Sequence, residues 1–109
     1  MLYISGEIGI IPGTGNMIAG GFKPETRQLM ENINAILMVA NSSMADIVEC
    51  TCLMADLKEY DDFNSVYETY FKANAAPSRA AFSVVQLPKD ARAEVKCSAM
   101  MGAKPATFL

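Results

Sequence analysis

Two side chains in this sequence combine a reactive type with a setting that could put them to work. Arg79 follows Pro77-Ser78 and stands at the mouth of an apolar run, residues 80–85, while Glu94 lies on the polar side of an alternating stretch farther on. A guanidinium presents a planar fork that meets a carboxylate at two points. A carboxylate can hold a water molecule and take its proton. The chain contains no histidine, which removes the usual general base and the usual zinc ligand. The base must then be a carboxylate or solvent. Taken alone, Arg79 could equally be a solvated strand-end residue or half of an ion pair, and Glu94 a solvated strand residue.

The elements that must position these two residues read as strand, turn and strand. Leu87-Pro88-Lys89-Asp90 has turn character; behind it Ala91, Ala93, Val95, Cys97 and Ala99 alternate with Arg92, Glu94, Lys96 and Ser98. That pattern predicts an antiparallel hairpin. Pairing Leu87 with Asp90 would set Glu94 opposite Ser83 and leave Arg79 on the same face, about 13 Å away at roughly 3.3 Å per residue. The gap is too wide for an ion pair. Either a small molecule spans it, or each residue works with partners from a neighbouring subunit.

The run Pro77-Ser78-Arg79, an apolar strand to Gln86, Leu87-Pro88 and then Glu94 resembles the signature of the Rid family. These are the reactive-intermediate deaminases, also called YjgF-like or L-PSP-type endoribonuclease proteins. The resemblance extends over residues 2–101. It implies a chorismate-mutase-like fold, hydrolysis of 2-imino acids and their enamine tautomers to 2-keto acids and ammonia, and a homotrimer with sites between subunits. It implies substrate-carboxylate binding for Arg79 and orientation or activation of the attacking water for Glu94, with neither a metal nor an organic cofactor. Ser5 and Gly6 match the Ser-Gly of the family's Ser-Gly-Gln segment and are expected to hydrogen-bond the substrate; Glu7 stands where the family has Gln. Asn64 matches the family's site asparagine, although its position also suits an exposed first-turn helix residue. The position two after Arg79, often Cys in bacterial members, is Ala81, so no thiol role is expected there. The family pattern also has a strand and a Gly-Pro-Tyr motif ahead of Tyr3-Ile4-Ser5-Gly6. Starting at Met1, the chain is expected to leave residues 2–11 as a sheet edge and to put its activity in doubt.

Composition narrows the field. With 109 residues, 51% of them hydrophobic, the chain has room for one domain with a modest core. A net charge of −3, with nine basic residues spread along the sequence, argues against a nucleic-acid surface held by electrostatics. Three cysteines do not make a disulfide framework. Cys50 and Cys52 would point the same way along one strand, awkward for bridging each other, so reduced buried thiols and a cytoplasmic location are expected. No transmembrane run is present. The apolar start lacks a basic segment and is broken by Gly6, Glu7 and Gly9, a poor signal peptide.

Along the chain, residues 2–5 read as a strand continued by 8–11, with a turn at Pro12-Gly13-Thr14-Gly15-Asn16. Pro24 opens a helix whose apolar face is Thr26, Leu29, Met30, Ile33, Ile36, Leu37 and Ala40, with Glu25 supporting the dipole. Residues 47–56 form a strand apolar on both faces, hence central and covered on both sides. Asp61 or Asp62 can cap a second helix running to about residue 73, with Phe63, Val66, Tyr67, Tyr70 and Phe71 on its apolar face. The expected fold class is α+β: one two-layer domain over residues 1–101, with two helices on one face of a mixed or antiparallel sheet, and a loose tail at 102–109. The uncovered sheet face, carrying the Ala93-Val95-Cys97-Ala99 row or its counterpart, would drive self-association.

Three functions compete. The first is a 2-imino acid or enamine hydrolase. The second is an endoribonuclease or translation inhibitor, against which weigh the acidic balance, the missing histidine and the lack of a basic-aromatic cluster. The third is a non-catalytic trimer that binds small carboxylates or a protein partner.

Overall fold

In the computed structural model, which describes residues 1–100, the patterns resolve into strands β1 (Leu2–Glu7), β2 (Ile47–Met54), β3 (Ser78–Ser83) and β4 (Ala93–Ala99), and helices α1 (Phe22–Val39) and α2 (Tyr60–Tyr67). The tail expected at 102–109 lies outside the described residues. The four strands make one sheet in the order β1-β4-β2-β3. The core joins α1 and α2 to one face of it, through Leu29, Met30, Ile33, Leu37 and Phe63 from the helices and Cys50, Cys52, Met54 and Val95 from the sheet. The two-layer α+β reading holds.

The hairpin does not. β3 and β4 are not neighbours: β3 pairs in parallel with β2, and β4 runs antiparallel between β1 and β2. The physical reason lies upstream. β2, α2 and β3 form a strand–helix–strand crossover, which delivers parallel partners. β2 buries Cys50, Cys52 and Met54 and gains a neighbour on each side. Residues 84–92 therefore step over the end of β2, held there by Val84 N–H donating to the Met54 carbonyl (2.9 Å) and Ala55 N–H to that of Arg92 (3.1 Å).

The faces change with the topology. Ala93, Val95, Cys97 and Ala99 are buried under the helices, so the expected open-face row belongs to the core. Alternation sends Glu94, Lys96 and Ser98 to the other face. There the register sets them in rows with Leu53 and Phe82, with Thr51 and Ala80, and with Tyr3, Glu49 and Ser78. Tyr3 is 77% exposed and Phe82 55%. β2 is central but not covered on both sides, since Val48 and Glu49 are exposed.

Helix α1 follows Gly21, whose φ of 102° suits glycine. Pro24 falls in its first turn, where a missing N–H costs nothing. Glu25 does more than face the helix dipole: it is buried, and its Oε2 accepts the Arg92 backbone N–H at 2.6 Å, tying α1 to the approach of β4. Helix α2 is shorter than expected, passing into a 3-10 turn at Glu68–Tyr70. Neither Asp61 nor Asp62 caps it; Asp56 instead accepts from the Lys58 N–H (2.9 Å) at the 3-10 turn leading in. Residues 8–11 do not prolong β1. A bulge falls between Ile4 and Glu7, and Ile10 makes one isolated bridge to Met17. Ile8, Leu87 and Ala91 form a second small cluster, with Leu53 packed against it. Among the described residues no helix is long and apolar enough to cross a membrane.

The thiols are not all reduced. Cys50 and Cys97, direct partners across β2 and β4 with Cα atoms 4.1 Å apart, form a disulfide, leaving Cys52 as a buried free thiol. The reading of reduced cysteines fails because the bridging partner of Cys50 came from a strand that the hairpin topology had placed elsewhere. The bond closes a loop between residues 47 apart, which corresponds to about 4 kcal/mol of stabilisation by the chain-entropy relation. Reduction is expected to lower the urea midpoint accordingly; identical midpoints with and without a phosphine reductant would show that the bond contributes nothing.

Candidate functional site

Arg79 leaves β3 on the helix-covered side, because its cross-strand partner is the buried Cys50. Its guanidinium meets α2. One terminal nitrogen donates to Asn64 Oδ1 and the other to the Tyr60 hydroxyl at 2.7 Å. The group lies 4.8 Å from the centroid of the Tyr67 ring and 5.5 Å from that of Tyr60, both within cation–π range. Of five guanidinium N–H donors, these contacts occupy two and fix the plane of the rest. Arg79, Asn64, Tyr67 and Lys72 line a cleft of about 840 Å³ together with Phe71, Ala76 and Pro77. The arrangement is a preset cation at the wall of a mixed polar and apolar cleft, suited to a small carboxylate.

Beneath it, burial pushes the Cys52 thiol up to about 12 against the opposing pull of Arg79, so the thiol stays protonated and unreactive. Burial likewise raises the Tyr67 hydroxyl, with Cys52 adding to the rise. Among the described residues that hydroxyl has no hydrogen-bond partner.

Glu94 is elsewhere. It projects from the opposite sheet face, beside Leu53, and lines a cavity of about 490 Å³ with Gly6, Glu7, Ile8, Asn32 and Pro88 among its walls. Gly6 leaves room for the Glu94 carboxylate, which a Cβ there would push aside. Ser5 is exposed and lines a neighbouring depression of about 240 Å³ with Tyr3, Glu49, Lys96 and Ser98.

The candidate residues thus fall into two groups. Arg79 and Asn64 are together on the helix side; Gly6 and Glu94 are together on the other, with Ser5 next to them. The expectation that Arg79 and Glu94 share a face is corrected: along β2, Arg79 stands beside Cys50 and Glu94 beside Leu53, on opposite faces. Within one chain they do not meet.

Sequence reasoning missed Tyr60 and Tyr67 as the supports of Arg79. The signal was present, since Tyr60, Asn64 and Tyr67 are spaced i, i+4 and i+7 on one helical face. It also gave Glu7 no role, although burial and then the charge of Glu94 raise the Glu7 carboxyl above its ordinary value.

Comparison with known proteins agrees with this fold. Residues 1–101 match the family model described as Endoribonuclease L-PSP. The chain is 39% identical to human 2-iminobutanoate/2-iminopropanoate deaminase over 101 residues, covering 93% of this chain and 73% of that protein. It is 40% identical to a RutC family protein of Pyrococcus horikoshii over 98 residues, covering 90% of this chain and 77% of the relative. The crystal structure of E. coli TdcF with bound serine superposes with a TM-score of 0.83 at 32% identity, covering 92% of this chain and 80% of that one. By match length, identity and fold, the chain belongs to the L-PSP endoribonuclease family, the YjgF-like or Rid proteins.

Proposed function

We propose that the protein hydrolyses small 2-imino acids, such as 2-iminobutanoate and 2-iminopropanoate, to the 2-keto acid and ammonium, at sites assembled between the copies of a homotrimer. The observation that carries this reading is the Arg79 guanidinium, held by Asn64 and Tyr60 at the wall of the 840 Å³ cleft with donors to spare. Its role is to anchor the substrate carboxylate. Glu94 takes the proton of the attacking water, and Gly6 keeps the space for that carboxylate open. Ser5 and the Gly6 backbone supply hydrogen bonds to the substrate.

The opposite placement of Arg79 and Glu94 supports a composite site. A substrate that needs both can meet them when the Arg79 side of one copy abuts the Glu94 side of the next. Such a heterologous contact, repeated, closes a ring. The exposed Tyr3 and Phe82 rings on the open sheet face supply apolar surface for it.

The same separation also favours a second reading, a protein that binds small carboxylates without turning them over. Freshly generated 2-iminobutanoate distinguishes the two: release of 2-ketobutyrate and ammonia above the spontaneous rate supports the hydrolase, and binding of 2-ketobutyrate without turnover supports the binder. Light scattering on the same preparation should give three times the chain mass of 11.8 kDa. A monomer that nonetheless turns over the imine would exclude the composite site.

A further inference from the structure

Among the described residues the Tyr67 hydroxyl is the one buried side-chain polar atom without a hydrogen-bond partner. Leaving such a group unpaired costs stability, and native structures hold few of them. Tyr67 is only 4% exposed, yet it lines the 840 Å³ cleft beside Arg79 and Asn64. Its neighbours do not relieve it. Phe63 and Phe71, with ring centroids 5.4 and 4.9 Å from that of Tyr67, offer only carbon. The buried Cys52 thiol forms no hydrogen bond with it. Arg79 gives one terminal nitrogen to Asn64 and the other to the Tyr60 hydroxyl, and a guanidinium has no acceptor to give. The two tyrosines that hold Arg79 thus differ. Tyr60 spends its oxygen on the guanidinium, whereas Tyr67 offers only its ring, 4.8 Å from the guanidinium carbon to the centroid. What the Tyr67 hydroxyl lacks is an acceptor, and what the cleft is equipped to receive is an anion.

We propose that Tyr67 is a substrate-binding residue whose hydroxyl donates to the carboxylate that Arg79 holds. The inference rests on the reading of Arg79 as the carboxylate anchor. A carboxylate has about four acceptor positions, and a two-point guanidinium fork fills two of them. The third contact comes from Tyr67, whose ring lies against the same guanidinium, so a carboxylate delivered to Arg79 is delivered beside Tyr67. The hydroxyl is shut off from water in the free protein. The side chains over it give way as the carboxylate enters, and the bond then forms where water does not compete and where it is stronger. Ligand binding thereby removes a penalty that the free protein carries, while the free protein keeps a donor that no internal partner has claimed.

The test compares wild type with Tyr67→Phe, which deletes the hydroxyl and keeps the ring against which Arg79 lies. Calorimetry with 2-ketobutyrate should show an affinity about ten- to a hundredfold weaker in the variant. With freshly generated 2-iminobutanoate, KM should rise while kcat stays within about twofold. The ligand-free variant should melt no lower than wild type, because an unpaired buried hydroxyl has been removed. A clearly lower melting temperature would mean that the hydroxyl is already paired within the protein or its assembly, and overturns the proposal. A second readout uses the wild-type protein: the Tyr67 ¹³Cζ resonance, assigned by its loss in Tyr67→Phe, should shift on saturation with 2-ketobutyrate, and an unmoved resonance overturns the proposal. Wild type that does not bind 2-ketobutyrate overturns the carboxylate reading of Arg79 and Tyr67's part with it; wild type that binds it and is matched by Tyr67→Phe overturns Tyr67's part alone.

Discussion

Replacing Arg79 with alanine is expected to weaken 2-ketobutyrate binding and imine turnover by roughly 30-fold to several thousand-fold. Removing one partner of a desolvated charge pair typically costs about 2 to 5 kcal/mol, and each 1.4 kcal/mol is about a factor of ten. The guanidinium is held by Asn64, by Tyr60 and against the Tyr67 ring, so its orientation is part of what is lost. Arg79→Lys keeps the charge but cannot reach Asn64 and Tyr60 while presenting a two-point fork. It should therefore be impaired as well. Phe63 of α2 and Leu29 and Ile33 of α1 are buried in the core, so both variants should remain folded, with some loss in melting temperature from the severed tie to α2. Calorimetry with 2-ketobutyrate decides the matter. Wild-type affinity in Arg79→Ala would reduce the residue to a clip between β3 and α2.

Glu94→Gln is expected to separate chemistry from binding. The amide keeps the shape that fits over Gly6 but cannot accept a proton from water. Loss of a general base is typically worth about 100- to 10,000-fold in rate. Affinity for 2-ketobutyrate should change little, since Arg79 carries the carboxylate. Near-normal kcat in Glu94→Gln would move the base elsewhere.

The elements of this fold were readable wherever a periodicity was local. Helix α1 shows itself in Leu29, Met30, Ile33 and Leu37, and β4 in the alternation from Ala93 to Ala99. What local patterns do not encode is which strands become neighbours. The turn at Leu87-Pro88-Lys89-Asp90 is present, with Lys89 and Asp90 at positive φ. It turns the chain across β2 rather than back onto β3, and the same strand–turn–strand pattern fits either outcome. Three misplacements followed from that choice: the shared face of Arg79 and Glu94, the open-face alanine row, and the unbridged Cys50. The candidate residues themselves were legible because glycine, arginine, asparagine and glutamate at those spacings carry the family resemblance. The supports of Arg79, Tyr60 and Tyr67, were harder to see because an aromatic on a helix face reads equally well as packing.

The position of β4 has a consequence for how the sheet comes into being. β1 precedes the other described strands, yet among the described residues it pairs only with β4, and Leu2 faces Ala99. During synthesis the pairing of β1 with β4 thus waits until nearly all of the described residues are available, while β2, α2 and β3 can associate beforehand as a local unit. Closing so long a loop is entropically expensive, and contacts of that sequence separation slow folding. The last strand must be inserted between two others rather than added at an edge. Until it arrives, one side of β1 and one side of β2 remain open edges, the state in which strands of different molecules pair with each other. Slow refolding and concentration-dependent aggregation during refolding are therefore built into the order in which this small sheet is threaded.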